Sequence, residues 1–232
     1  MTARTTTPGA DALAWASINV DGPQSAEFLQ GQLSQDLSTL GPRGVWSLLL
    51  APDGTVITSC FVTGGGEHFA VTLAREVGDV ALRRLRRFHL RVNCTLELVD
   101  ATSGPFASAQ EMVLVGWPSS AEFEHPLTPQ TFGATFVQAT VSFTKGCFTG
   151  QELVGRLDAR GSSVPWRLVR CTGPSTERVD DVVRSKGPPG PQGLTTVLVT
   201  PSGVTALGIA HRTLLDPAVL ATFDDVTVEA VV

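Results

Sequence analysis

Residues 45 to 99 alternate between apolar runs and turn sequences, and this alternation limits the possible fold more than any other feature of the chain. Pro52-Asp53-Gly54 and Gly64-Gly65-Gly66 are turn sequences, each lying between two runs that suit a β-strand. The pattern predicts strands at 45–51, 55–63, 68–73 and 91–99, with a helix at 75–89 before the last of them. An antiparallel sheet with a helix on one side indicates the α+β class.

A helix is predicted before this region. Asp21-Gly22-Pro23 is typical of a helix start, because a proline there has no N–H that the helix would need. Apolar residues then recur at three- and four-residue steps up to Gly41-Pro42, which predicts one buried helical face. The residues of that face are Ala26, Leu29, Leu33, Leu37 and Leu40. A strand is predicted just before the helix, at 13–20.

The second half of the chain has shorter elements. Strands are predicted at 112–117 and 136–143, separated by a proline-containing loop at 118–129. Beyond Gly161 the pattern is four short strands with turns and almost no helix, which indicates a small β-barrel. We therefore predict an α+β domain at 1–162, with a subdomain around 45–111 inserted between 1–44 and 112–162, and a β-barrel domain at 163–232.

Composition excludes several classes of function. The net charge of −5 gives no reason to expect nucleic-acid binding, and no run approaches the roughly 18 apolar residues of a membrane span. The first nine residues lack the apolar core of a signal peptide, so a frayed, cytoplasmic N-terminus is predicted. The four cysteines form no Cys-x-x-Cys pair and the four histidines are scattered, so no dedicated metal site and only reduced thiols are predicted.

The segment from Lys145 to Arg156 holds more chemically active groups than any other stretch of this length. Gly146 and Gly150 bracket Cys147 and predict a tight loop, and the residues that follow predict a short helix. Backbone N–H groups at a helix start and a neighbouring lysine both favour the thiolate form of a cysteine. Cys147 and Lys145 are therefore the predicted catalytic residues.

A purely structural interpretation of this loop stays open, because most cysteines are small buried apolar residues and most glycine-bounded loops are only turns. One compositional fact favours function. Of the 17 lysine and arginine residues only two, Lys145 and Lys186, are lysines. A lysine at this position suggests a need for a compact point charge.

Arginines are concentrated along the predicted second helix: six of them lie between Arg75 and Arg91. One interpretation is a solvated basic face with its aliphatic stems packed along the helix. The other is an anion site for a polyglutamate tail, a phosphate group or RNA. The sequence leaves both open and favours the first.

Residues 145–156, Lys-Gly-Cys-Phe-x-Gly-Gln-Glu-x-x-x-Arg, closely resemble the signature of the YgfZ family, the folate-binding relatives of the glycine-cleavage T-protein (aminomethyltransferase). The aromatic residue is usually tyrosine in that family and is Phe148 here. The stretch from Asp21 to Leu37 and the hairpin from Leu48 to Gly54 resemble other parts of the family. The resemblance covers most of residues 13–172.

The resemblance implies interleaved ferredoxin-like subdomains followed by a small β-barrel. It also implies tetrahydrofolate binding and support of iron–sulfur cluster assembly or repair, which affects cluster-dependent tRNA methylthiolation. Cys147 would be the functional thiol. Partners would be folate and iron–sulfur proteins or assembly factors, with no direct nucleic-acid or membrane partner. Folate contacts are expected from Asp36, Phe148, Gln151, Glu152 and Arg156.

The chain also departs from the family. It is short, and the arginine and Gly-x-Pro-rich segment expected before the Cys147 loop is replaced by an unfamiliar stretch at 118–135. Either Asp36 or Glu152 would have to supply the carboxylate that grips the pterin. Two further hypotheses therefore stay open: a one-carbon transferase or demethylase like aminomethyltransferase, and a non-enzymatic protein that kept the fold and lost folate.

Overall fold

The computed structural model describes residues 4–6 and 12–232, which form two compact units. One unit consists of Leu13–Pro105 and Val137–Ala159, and it contains the Cys147 loop. The other consists of Phe106–Phe136 and Arg160–Val232 with the described residues before Leu13. We call them the loop unit and the C-terminal unit.

The loop unit is built on an antiparallel sheet. Its strands are β2 (Trp15–Asp21), β3 (Val45–Leu50), β4 (Val56–Gly65), β5 (His68–Ala74) and β6 (Thr95–Ala101). Their order in the sheet is β3-β4-β5-β2-β6, and every neighbouring pair is antiparallel. The predicted β-β-β-α-β pattern is confirmed, including both turns. Strands β4 and β5 alternate buried and less buried side chains, because successive residues point to opposite faces of the sheet.

Two helices belong to this sheet: α1 (Ser25–Gln32) and α2 (Gly78–Arg86). Helix α1 is shorter than predicted. After Gln32 the chain becomes extended, Leu33 forms a β-bridge with Leu49, and a 3-10 turn covers Leu37–Thr39. Leu29, Leu33 and Leu37 are nevertheless buried in one core, whereas Ala26 is exposed. The apolar spacing therefore identified three of the five predicted core residues but not the end of the helix.

The C-terminal unit contains the second sheet. Its strands are β1 (Arg4–Thr6), β7 (Trp166–Gly173), β8 (Gly193–Thr200), β9 (Gly203–His211) and β10 (Thr227–Ala230). Their order is β1-β8-β9-β7-β10, with β1 parallel to β8 and the other pairs antiparallel. The order is open in the described residues, so the predicted closed barrel is not confirmed. Residues 4–6 belong to the terminus predicted to be frayed, and the rest of that segment lies outside the described residues.

Helix α6 (Thr176–Arg184) was not predicted in this unit. The Ser175 hydroxyl accepts a hydrogen bond from the N–H of Arg178, which caps the first turn. Val179, Val182 and Val183 are buried in the core beside strands β7 to β10. The three valines stand at i, i+3 and i+4, the spacing of one helical face.

Two predicted strands are helices. Residues 112–117 lie largely in α3 (Ala109–Val115), where Ser108 caps the start and Gly116 ends the helix at φ +74°. Residues 136–143 begin in α4 (Ala134–Thr140). The predicted loop at 118–129 contains a 3-10 segment, Ser120–Glu124, and a second one follows at Pro129–Phe132. Short apolar runs do not distinguish a strand from a buried helix, and here the capping residues decide.

The unit boundaries differ from the predicted domains, which separated 1–162 from 163–232. Phe106–Phe136 groups with the C-terminal segment because its side chains pack there. The buried Glu122 carboxylate accepts hydrogen bonds from Ser119 and Thr195, and a β-carbon added to Gly133 would lie 2.5 Å from the carbonyl oxygen of Val231. No helix within residues 4–6 and 12–232 is long and apolar enough to cross a bilayer.

Candidate functional site

The Cys147 loop runs from α4 to α5 (Gln151–Ala159). Gly150 has φ +83°, a backbone conformation that favours glycine, and the N–H of Gln151 donates to the carbonyl of Phe148 across the turn. The Cys147 side chain is exposed, whereas its neighbour Phe148 is buried. The predicted tight loop and short helix are both confirmed. The thiol of Cys147 therefore faces solvent, while the buried ring of Phe148 anchors the loop in the fold.

Lys145 is buried, with 8% of its surface exposed. Its Nζ atom donates to the carbonyl oxygens of Gln30, Leu33 and Gln35 at 2.7, 2.8 and 2.9 Å. These carbonyls lie at and just beyond the C-terminal end of α1, where main-chain oxygens lack helical partners and carry partial negative charge. An ammonium has three N–H donors, so all three are used inside the fold. Lys145 therefore anchors the loop to the end of α1.

Burial is also what changes the acidity of this lysine. It lowers the pKa of Lys145 to about 8, and the nearby negative charge of Asp36 opposes the shift. The Nζ atom also lies 5.3 Å from the centre of the Phe148 ring. The buried ammonium of Lys145 is thus stabilised by three carbonyl dipoles, by the face of the Phe148 ring and by the nearby carboxylate of Asp36.

Further hydrogen bonds join the same two segments. The Ser34 hydroxyl donates to the carbonyl of Thr140 at 2.6 Å, and the N–H of Ser142 donates to the carbonyl of Ser34 at 3.0 Å. The N–H of Thr149 donates to the carbonyl of Gly31 at 3.1 Å. The end of α1 and the Cys147 loop therefore form one connected structure, although more than 100 residues separate them.

The hairpin turn between β3 and β4 packs against the other end of the loop. A β-carbon added to Gly150 would lie 2.7 Å from the carbonyl oxygen of Ala51 and 3.1 Å from the Cα of Gly54. A β-carbon added to Gly54 would lie 2.9 Å from the Cβ of Leu153 on α5. The two backbones approach so closely that only glycine fits at each position. Three separated stretches of the sequence therefore meet at the loop.

These three stretches are the same ones that carry the family resemblance: the end of α1, the β3–β4 turn and the loop itself. The sequence analysis gave no role to Ser34, to Gly31 or to the anchoring function of Lys145. A carbonyl acceptor is identical in every residue, so nothing in the sequence marks Gln30, Leu33 and Gln35 as partners of a lysine. The rare lysine was the one available signal.

No family model matches the chain. A search of curated proteins finds the mitochondrial iron–sulfur cluster assembly factor IBA57 homologue of Pyricularia oryzae, 24% identical over 212 aligned positions. The match covers 66% of this chain and 54% of that protein, so the chain spans about half the length of this relative. Among solved structures, the crystal structure of glycine cleavage system aminomethyltransferase T from Bartonella henselae superposes with a TM-score of 0.58.

That superposition covers 88% of this chain and 80% of the other, at 13% sequence identity. The chain has the aminomethyltransferase T-protein fold. At this identity the likeness establishes the fold alone. Together with the iron–sulfur assembly relative, it supports the predicted relationship to the YgfZ and T-protein group at a coarse level.

Within this T-protein fold, the residues expected to contact folate make other contacts. The Asp36 carboxylate accepts hydrogen bonds from Gln30 Nε2 at 2.8 Å and from the N–H and hydroxyl of Ser38 at 2.9 and 2.7 Å. The two Ser38 bonds and the Gln30 bond lower the pKa of Asp36. All three bonds go to Oδ1, the oxygen that caps the 3-10 turn at Leu37–Thr39.

The remaining expected folate contacts lie on or beside α5. Glu152 and Arg156 are exposed and pair with each other across one helical turn, Gln151 is half-buried, and Phe148 is buried beside Lys145. The Glu152–Arg156 pair is exposed, and an exposed ion pair is too weak to exclude a ligand. The expected folate contacts therefore stay predictions.

The four cysteines differ sharply in environment. Cys60, Cys94 and Cys171 are buried, and burial raises the pKa of Cys60 and of Cys171 to about 12 and raises the pKa of Cys94. Cys147 is the exposed thiol of the described residues. No group of three or more His, Cys, Asp or Glu side chains that could hold a metal occurs in that part of the chain.

Proposed function

We propose that this protein supports iron–sulfur cluster assembly or repair, with Cys147 as its functional thiol. One observation carries the proposal: two stretches far from it in sequence, the end of α1 and the β3–β4 turn, hold one short loop, and that loop exposes a cysteine. The other three cysteines are buried and pack in the cores, whereas Cys147 is exposed. An exposed side chain does not fill a core, so packing does not explain a cysteine at this position. The similarity to an iron–sulfur cluster assembly factor supports a role in cluster assembly.

Cysteine thiolates are the ligands that iron–sulfur clusters take. Cys147 supplies one thiolate, whereas a cluster takes four protein ligands, so the cluster is cargo shared with groups on a partner. In this proposal the protein partner is an iron–sulfur protein or an assembly factor. The rigid loop holds the thiol at a fixed position, which favours transfer because the geometry is set before the partner arrives.

Complementation of a deletion strain tests the proposal. The strain would carry wild type, Cys147→Ser or Cys94→Ala, and the activity of cluster-dependent enzymes would be compared with that of a metal-free enzyme. We expect Cys147→Ser to lose the cluster-dependent activity and Cys94→Ala to retain it. Normal cluster-dependent activity in the uncomplemented strain would overturn the role in assembly. Full rescue by Cys147→Ser would overturn the role of the thiol alone.

Tetrahydrofolate as ligand is a separate part of the proposal, and it is supported by the T-protein fold rather than by the residues beside Cys147. Calorimetric titration of wild type and Cys147→Ala with tetrahydrofolate tests it. Saturable binding by both would place folate away from the thiol and dispose of the hypothesis that the ligand was lost. Absence of binding would remove folate and leave the thiol function standing.

The fold also favours a second candidate, a one-carbon transferase like aminomethyltransferase. Incubation with tetrahydrofolate and a methylamine donor should then yield methylene-tetrahydrofolate. The reaction needs a carboxylate near the reacting nitrogen, and the contacts of Asp36 and Glu152 give no specific support for that role. We therefore rank this candidate below the assembly role, and absence of turnover would remove it.

A further inference from the structure

Arg84 on α2 is buried, so it does not belong to a solvated basic face. Only 6% of its surface is exposed, whereas Arg83, Arg86, Arg87 and Arg91 are all exposed, as a solvated face requires. Arg84 Nη1 donates to the side-chain oxygen of Gln32 at 3.2 Å. Its Nε and Nη2 atoms have no hydrogen-bond partner and are shielded from solvent.

The two unpartnered nitrogens form a matched pair. In a guanidinium group the N–H of Nε and one N–H of Nη2 are parallel, and this edge binds the two oxygens of a carboxylate or phosphate. A buried charge with unpartnered donors destabilises a protein. A side chain such as methionine would fill the same space without that cost, so packing alone does not account for an arginine here.

The surroundings of Arg84 are basic and apolar. A cavity of about 500 Å³ is lined by Ile57, Val80, Arg83, Arg84 and Arg87. None of these residues is acidic, so three positive charges share one concave surface without a balancing carboxylate among its lining residues. Burial lowers the pKa of Arg84, and the charge of Arg87 lowers it further. The volume is in the range of sites for small organic molecules, about 300–1,000 Å³.

Phe88 covers one face of the guanidinium. Its ring centre lies 4.1 Å from Arg84 Cζ, and 43% of the residue is exposed just beyond the end of α2. The stacked ring holds the guanidinium plane in place by a cation–π contact. Because the Phe88 ring is partly free in solvent, its displacement is the simplest way to open the shielded nitrogens to a ligand.

We propose that this cavity binds a small organic anion, with Arg84 as the bidentate contact to a carboxylate or phosphate group. Arg83 and Arg87 add attraction at the rim, and Ile57 and Val80 contact the apolar part of the ligand. Phe88 moves when the anion enters. No residue of the Cys147 loop lines the cavity. The proposal is a specific form of the anion-site interpretation of the arginine cluster, with Nε and Nη2 of Arg84 as the donor atoms.

Calorimetric titration at low ionic strength tests the proposal, with inorganic phosphate and glutarate as probes of the two anion chemistries. Wild type should bind at least one of them saturably. Arg84→Lys keeps the charge and loses the parallel donors, so its affinity should fall at least about tenfold. Arg86→Lys is the matched control, because Arg86 lies on the same helix, is exposed and does not line the cavity. Its affinity should match that of wild type.

A thermal measurement guards against misfolded variants. Without added anion, Arg84→Met should melt at or above the temperature of wild type, because it removes a buried charge two of whose nitrogens have no hydrogen-bond partner. Saturating anion should raise the melting temperature of wild type and leave that of Arg84→Met unchanged. The proposal is overturned if wild type shows no saturable binding of either probe. It is equally overturned if Arg84→Lys and wild type bind with the same affinity, since the basic surface would then be diffuse.

Discussion

Gly54 and Gly150 meet backbone to backbone, although 95 residues lie between them in the sequence. A β-carbon on Gly150 would approach the Cα of Gly54 to 3.1 Å, and one on Gly54 would approach the carbonyl oxygen of Gly150 to 3.1 Å. Both residues have positive φ, at +82° and +83°. The β3–β4 turn and the Cys147 loop therefore pack backbone against backbone, and this contact requires a glycine at both positions.

Gly150→Ala should destabilise the protein by about 2 kcal/mol or more. A non-glycine residue at positive φ costs about 1–2 kcal/mol, and the new methyl group would also meet the carbonyl oxygen of Ala51 at 2.7 Å. Urea unfolding measures the change. Gly146→Ala is the control, because an added β-carbon there meets nothing within 4 Å. Equal stability of the two variants would contradict the close approach.

Lys145→Met should lower the free energy of unfolding by about 2–4 kcal/mol, because three main-chain carbonyls lose their ammonium donor. The matched control is Lys186→Met, which removes the chain's other lysine from an exposed position and should change stability by less than about 0.5 kcal/mol. Lys145→Arg should rescue little, since a planar guanidinium does not reproduce three converging donors. A fully stable Lys145→Met protein would remove Lys145 as the anchor.

Alkaline pH should stabilise wild type relative to Lys145→Met. The pKa of Lys145 is about 8 in the folded protein and near 10.5 when unfolded. Between these values the unfolded state holds the proton and the folded state does not, so the free energy of unfolding rises with pH. The difference between the two proteins, measured by urea unfolding from pH 7 to 10.5, should grow through this window. A difference that stays constant would contradict the lowered pKa.

The sheet of the loop unit could be predicted because its signals are local. Turn chemistry at Pro52-Asp53-Gly54 and the alternation along β4 act over a few residues, and the long-range pairing follows from them. The end of α1 could not be predicted, because Leu33 leaves the helix to pair with Leu49, a tertiary contact that helical spacing does not reveal. The helices α3 and α6 were missed for a different reason. Their caps, Ser108 and Ser175, are present in the sequence, but a short apolar run predicted a strand at 112–117 and no element was predicted at 176–184.

The Cys147 loop was predicted from local sequence, but the contacts that hold it were not. The glycine-bounded loop and the short helix after it are both present, and the catalytic roles of Cys147 and Lys145 stay predictions. The anchoring role of Lys145 could not be predicted, because its partners are carbonyl oxygens, which leave no trace in the residue types of positions 30, 33 and 35. The burial of Arg84 among exposed arginines could not be predicted either, because the run of arginines does not indicate which of them lies on the inward face of α2.

Cys147 should be the fast-reacting thiol of the native protein. It is exposed, whereas burial raises the pKa of Cys60 and of Cys171 to about 12 and keeps reagent away from both. Alkylation by iodoacetamide near neutral pH, followed by mass spectrometry of peptides, should label Cys147 more than about 100-fold faster than the buried thiols, which react only through opening of the fold. Cys147→Ser should abolish the fast phase, and urea should bring all remaining thiols to similar rates. If Cys147 reacts no faster than Cys94 in the folded protein, the thiol of the loop is not accessible. The proposed role of Cys147 as the functional thiol would then be wrong.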